Sequence, residues 1–167
     1  MKKIEMFANE LNLMLEQSYG EAKAGFFPDV IEKSGTLYKG TRYTNEFKGV
    51  GLCISNREFY VVCFNVLGDD KLALQYFEST HKGKGVGSNI MDMITTTAKK
   101  NGVTISLDAI PCGDDITSVN WAFRSKNTRQ QEEVWNQATD RLIKFYERFG
   151  FQSVHRKQPF RMKYLAS

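Results

Sequence analysis

The stretch His81-Lys82-Gly83-Lys84-Gly85-Val86-Gly87-Ser88 decides the fold. A strand-like run, Leu72 to Phe77, precedes it, and a helix-like run, Asn89 to Lys100, follows it. Glycine lets the backbone turn left-handed and approach a ligand closely. Free N–H groups at a helix start favour an anion. Together these properties describe a phosphate-binding turn. Spacing separates it from two better-known loops. A P-loop needs Gly-x-x-x-x-Gly-Lys-Ser/Thr, and no lysine follows Gly87. A dinucleotide fingerprint needs Gly-x-Gly-x-x-Gly; Gly83 and Gly85 fit, but Ser88 stands in the last place. What remains is a basic residue followed by Gly-x-Gly-x-Gly, with a plain glycine-rich surface turn as the alternative.

The flanking chain supplies the context. Val50 to Ile54, Phe59 to Val66 and Leu72 to Phe77 read as three strands. The turn-like Ser55–Glu58 and Gly68–Asp70 between them make an antiparallel meander. After the glycine turn, a helix over 86–100 presents Ile90, Met93, Ile94 and Ala98 to one side and stops at Asn101-Gly102. Val103 to Ile110 is the next strand. A strand–helix–strand unit makes a parallel pair with a right-handed crossover. The fold class is therefore α+β, a central mixed β-sheet flanked by helices. Toward the N-terminus, Ile4, Phe7, Leu11, Met14 and Leu15 recur at helical spacing over residues 3–19. Gly20 to Asn45 reads as an irregular, aromatic-rich loop holding Phe26, Phe27, Tyr38 and Tyr43. Past Ile110 the chain is loop-like to Ser125. A helix then runs from Thr128 with Val134, Ala138, Leu142, Phe145 and Phe149 on one stripe, closed by Gly150. Phe151–His155 and Phe160–Leu165 are extended.

Composition narrows the class. At 167 residues the chain is read as one domain, 1–167, with room for a full core. A net charge of +4 suits an anionic ligand but is too small to predict nucleic-acid binding. No run approaches the length of a membrane span, and Glu5, Asn9, Glu10 and Asn12 interrupt the N-terminal apolar residues, so neither an anchor nor a signal peptide is expected. The three cysteines, Cys53, Cys63 and Cys112, have no metal spacing, and Cys53 and Cys63 fall in apolar strands, where a free buried thiol is the default. No metal site is expected, and the location expected is a reducing cytoplasm.

A second motif, Tyr146-Glu147-Arg148-Phe149-Gly150-Phe151, joins the last helix to a strand. With the glycine turn it makes the chain resemble the GCN5-related N-acetyltransferases (GNAT), which move an acetyl group from acetyl-CoA to an amine. Their Arg/Gln-x-x-Gly-x-Gly/Ala is matched by Lys82 through Gly87, and their Tyr-x-x-x-Gly-Phe by Tyr146 through Phe151. The resemblance covers residues 48–165. It implies a GNAT-like acyl-CoA N-acyltransferase core there, preceded by a helix and loop over 1–47 and carrying an insertion around 111–138. Trp121, Phe123, Arg124 and Trp135 mark that insertion and read as a small satellite core. Three features depart from the family: Lys82 replaces arginine or glutamine, Thr139 stands where an asparagine is common, and residues 1–47 match no family motif.

The resemblance also implies roles. The backbone of residues 83–88, that is Gly83, Lys84, Gly85, Val86, Gly87 and Ser88, would hold the CoA pyrophosphate, with Lys82 and Lys84 adding charge. Tyr76 and Phe77 would offer strand backbone to the pantetheine arm. Tyr146 would protonate the leaving thiolate. The base is not identified by the sequence: Glu78, Asp108, Asp114 and Asp115 are candidates by location, deprotonation through water is the alternative, and His81 reads as an exposed loop residue. The function implied is acetyl transfer from acetyl-CoA, as cosubstrate, to a primary amine of a small molecule or protein. Two alternatives stay open: a toxin-like acetyltransferase acting on aminoacyl-tRNA, and a catalytically silent fold that binds CoA or a protein. No membrane partner is expected, nucleic acid is disfavoured by the alternating charges of the last helix, and a homodimer is left open.

Overall fold

The computed structural model describes residues 2–27, 51–56, 58–81, 83–110, 128–154 and 160–166. The chain divides into two compact units, Met1–Leu107 with Tyr164–Ser167, and Asp108–Lys163.

The first unit is built on strands β1 (Lys23–Phe27), β2 (Gly51–Asn56), β3 (Tyr60–Gly68), β4 (Lys71–Ser79) and β5 (Thr104–Asp108, to Leu107 in this unit), hydrogen-bonded in that order. β1 through β4 pair antiparallel and β4 with β5 parallel, which is the mixed sheet read from the sequence. β1 corrects that reading, because Lys23 to Phe27 lies in the stretch taken as irregular. The segment has a glycine at its centre and no alternation. It is an edge strand held by β2 alone among the described residues, so pairing rather than pattern makes it a strand. Residues 28–50, with Tyr38 and Tyr43, lie outside the described residues.

Helices α1 (Lys2–Tyr19) and α2 (Val86–Asn101) cover one face of this sheet. α1 buries Ile4, Phe7, Ala8, Leu11 and Leu15, a stripe with helical period. Phe7 meets Phe64 of β3 edge to face, with ring centroids 5.7 Å apart. α2 buries Ile90, Met91, Met93, Ile94 and Ala98. Its buried threonines satisfy their own hydroxyls: Thr95 donates to the Met91 carbonyl and Thr97 to that of Met93. The helices run antiparallel, clamped at one end by Glu10, which accepts from Asn101 at 2.9 Å and pairs with Lys100 at 3.1 Å. At the other end Asn89 donates to the Tyr19 hydroxyl at 2.7 Å. Gly102, at φ 67°, closes α2 as anticipated: its N–H meets the Lys99 carbonyl, and the Val103 N–H meets that of Ala98.

The second unit contains α3 (Thr128–Glu147), β6 (Gln152–Ser153) and β7 (Arg161–Tyr164, to Lys163 in this unit), the two strands antiparallel. Ala109, Ala138, Thr139, Phe151 and Met162 are its buried residues among those described. Trp135 is half-buried; Trp121, Phe123, Arg124 and the rest of 111–127 lie outside the described residues.

Tyr60 is fully buried in the first unit, and its hydroxyl has no hydrogen-bond partner among the described residues. Burial, helped by the negative charge of Glu16 and by Tyr19, pushes its phenol up to about 12. A phenol that ionises later in the folded than in the unfolded chain contributes stability that is complete below pH ~10 and lost as pH rises through ~12. The unfolding free energy from urea titration should therefore fall less between pH ~9 and ~11.5 in Tyr60→Phe than in the wild type, by on the order of 1 kcal/mol.

Candidate functional site

β4 is the strand that delivers the glycine turn, and its two halves have different neighbours. Lys71, Leu72 and Ala73 pair with Thr104, Ile105 and Ser106 of β5. No pair follows Ala73↔Ser106 among the described residues, although β4 continues to Ser79 and β5 to Asp108. At the same place the β3–β4 ladder shifts register: Cys63 faces Tyr76, while Phe64 faces Leu74, so Gln75 is an extra residue. Such a bulge bends the strand and breaks its pairing pattern. Beyond it, β4 is laddered to β3 through Tyr76, Phe77, Glu78 and Ser79. Tyr76 and Phe77, the residues expected to offer backbone to a ligand, lie on this open stretch.

The turn that follows is made of two kinds of glycine. Gly83 and Gly85 both sit at φ 75°, and a Cβ added to either would meet nothing within 4 Å. Their requirement is conformational: a left-handed backbone costs other residues about 1–2 kcal/mol. Gly87 has ordinary helical backbone, and its Cβ would lie 3.8 Å from the Phe77 ring and from Ser79. That is van der Waals contact, so an alanine fits. Phe77 therefore supports the helix start from beneath. Gly83, Lys84 and Gly85 are exposed, Gly87 and Ser88 half-buried, and Val86 buried.

The first helical hydrogen bond of α2 runs from the Asn89 N–H to the Gly85 carbonyl at 2.9 Å. The N–H groups of Val86, Gly87 and Ser88 come before it and have no carbonyl one turn back within the helix. Gly85 provides no side-chain cap. This end of α2 thus carries oriented donors, the positive end of the helix dipole and the exposed Lys84, which together suit an anion. Lys82 lies outside the described residues.

Other side chains extend the picture. Tyr76 donates its hydroxyl to the Glu78 carboxylate, two residues along the same face of β4. His81, expected to be exposed, is half-buried: its ring stacks on Phe59 at 4.8 Å and its Nδ1 lies 3.0 Å from the Thr80 hydroxyl. Asp108 is engaged by Arg161 at 3.1 Å within the second unit. Asp114, Asp115 and His155 lie outside the described residues.

Tyr146 belongs to the second unit, where the helix end explains its motif. Gly150, at φ 96°, donates its N–H to the Glu147 carbonyl at 3.0 Å, and Phe151 donates to that of Tyr146 at 3.3 Å. This is the two-bond glycine cap of a helix, and it brings the residues before and after the cap into contact. The Tyr146 and Phe151 rings lie 5.6 Å apart at 61°. Phe145 completes the cluster, 5.3 Å from Tyr146 and 5.1 Å from Phe149, with the Arg148 guanidinium over both phenyl rings. Thr139, where the family often keeps an asparagine, spends its hydroxyl on the Trp135 carbonyl at 2.9 Å.

Neither a protein-family model nor a curated protein matches the chain. Solved structures do. The anti-CRISPR protein AcrVA5 is 22% identical, with 68% of this chain and 97% of that one covered and a TM-score of 0.47. An IAA acetyltransferase from Bacillus cereus is 12% identical, with 87% and 99% covered and a TM-score of 0.46. The N-acetyltransferase PseH of Campylobacter jejuni is 14% identical, with 87% and 99% covered and a TM-score of 0.45. The element order and pairing of this chain's own sheet, a meander, a glycine turn, a helix and a parallel strand, are those the resemblance implied. The described elements form a mixed sheet flanked by helices, the fold class read from the sequence.

The two kinds of glycine give opposite expectations for stability. Gly85→Ala should lose about 1–2 kcal/mol in urea unfolding. Gly87→Ala, in a helical position with room for a methyl, should be neutral or gain up to about 1 kcal/mol.

Proposed function

We propose that this chain is an acetyl-CoA-dependent N-acetyltransferase whose acceptor is a primary amine of a small molecule or protein. The observation that supports it most is the coincidence on one strand of two features: an open edge beyond the Gln75 bulge, and a glycine turn that ends in the uncapped start of α2. An extended amide-bearing chain suits the first, and a pyrophosphate suits the second. Acetyl-CoA carries both groups in one molecule.

On this reading the N–H groups at 83–88 hold the pyrophosphate, each charge-assisted bond contributing roughly 1.5–3 kcal/mol. Lys82 and Lys84 add attraction as point charges, without the planar fork of arginine. The backbone at Tyr76 and Phe77 aligns the pantetheine arm and polarises the thioester carbonyl. The amine nitrogen attacks that carbonyl carbon, and the tetrahedral adduct collapses to the amide and the CoA thiolate. The Tyr146 hydroxyl supplies the thiolate with its proton. Glu78, the one of the four carboxylates on β4, is the base we assign for the amine proton.

Free-thiol release from acetyl-CoA, followed with a panel of amines, tests the reading. Release is expected only with an acceptor amine present. Tight CoA binding without release for any amine would support the catalytically silent alternative. Two variants separate binding from chemistry. Gly85→Glu, which places a carboxylate at the anion site, should weaken CoA at least tenfold by calorimetry. Tyr146→Phe should lower kcat by about 100-fold, with little change in KM for acetyl-CoA.

A further inference from the structure

Cys53 and Cys63 are register partners, directly opposite each other on β2 and β3. Their Sγ atoms lie 2.9 Å apart, within hydrogen-bond distance, and neither cysteine is in a disulfide. Strand alternation puts them on the face of the sheet opposite Leu52, Ile54, Val62 and Phe64. The pair is unsymmetrical: Cys63 is 1% exposed, whereas Cys53 is half-buried and within reach of a reagent. We propose that Cys53 and Cys63 form a redox-active dithiol, which small disulfides of the glutathione type convert reversibly to a Cys53–Cys63 disulfide.

The geometry divides the labour. The Cys53 thiolate attacks one sulfur of the oxidised glutathione, forms a mixed disulfide and expels one glutathione thiolate. Cys63 then attacks the Cys53 Sγ, breaks the mixed disulfide and expels the second. The two cysteines lose two electrons and two protons, and the oxidant takes them up as two reduced glutathiones. The hydrogen bond from Cys63 holds the Cys53 thiol below the usual thiol range, against the opposite pull of burial, which favours Cys53 as the attacking sulfur. Opposed positions on adjacent strands bring Cβ atoms near the separation a disulfide needs. Cys63 is also the ladder partner of Tyr76, so the link would form one strand away from the bulge of β4.

The test uses the full chain, as wild type and as Cys112→Ser, which leaves these two as the only cysteines of three. Reduced protein is incubated with excess oxidised glutathione, quenched by alkylation, and measured by intact mass and peptide mapping. Cys112→Ser should lose the mass of two hydrogens and retain no glutathione. Both proteins should yield a peptide linking Cys53 to Cys63 that dithiothreitol reverses. Cys63→Ser should stop at a glutathione adduct on Cys53. Full alkylation of both thiols after the incubation, a glutathione adduct that persists with Cys63 present, or a link through Cys112 in place of this one would overturn the proposal.

Discussion

β4 is hydrogen-bonded on both edges for three residues and then on one. The rest of the first unit depends on that change. Before the bulge, β4 is a core strand: Leu72 and Leu74 are buried, and β5 is locked beside it. After the bulge, the strand bends with its β3 ladder intact and directs the chain into Gly83 at the open end of the sheet. A strand paired on both edges to Ser79 would have no free edge, and the glycine turn would start beside a filled ladder. Among the described residues the β4–β5 ladder stops at Ala73, beside the Gln75 bulge, and the start of α2, which has no side-chain cap, follows close in sequence. Buried or partly buried backbone groups call for partners. A ligand with amides and phosphates can supply them.

The glycines then act through two separate physical effects. Gly83 and Gly85 permit a left-handed path, whereas Gly87 lies in ordinary helical backbone against Phe77, with room for a methyl group. α1 stabilises this arrangement from the side, since Tyr19 receives the Asn89 amide at the first turn of α2. The start of α2 is held by packing and by the Asn89–Tyr19 hydrogen bond, and Gly85 adds no side-chain cap to it. In the second unit the same chemistry of helix ends does a different job. The Gly150 cap pulls Phe151 back onto Tyr146, so the Tyr-x-x-x-Gly-Phe pattern has a local cause, independent of catalysis.

Much of this was legible from residue patterns. Helices α1 and α2 follow from apolar period and from Gly102, and the meander follows from short turns between β-branched runs. The turn at Gly83 and Gly85 ahead of α2 was legible because a glycine turn before a helix is a local signal. What escaped was set by pairing between segments. β1 has no alternation, so only its ladder with β2 defines it. The Gln75 bulge leaves no mark in composition, because it is a mismatch between two strands. The meeting of Cys53 and Cys63 was in principle available: counting outward from the turn between Asn56 and Tyr60 pairs them, once the register is trusted. His81 was misread as exposed because its stacking partner, Phe59, is distant in sequence.

The central claim is that the start of α2 binds the pyrophosphate of CoA through backbone N–H groups. A titration with CoA followed by amide resonances tests it residue by residue. The account predicts that the largest shifts, and the strongest slowing of hydrogen exchange, fall on the amides of Gly83 through Ser88, with a second group at Tyr76 and Phe77. CoA binding that leaves those amides unmoved and perturbs another part of the chain would contradict it.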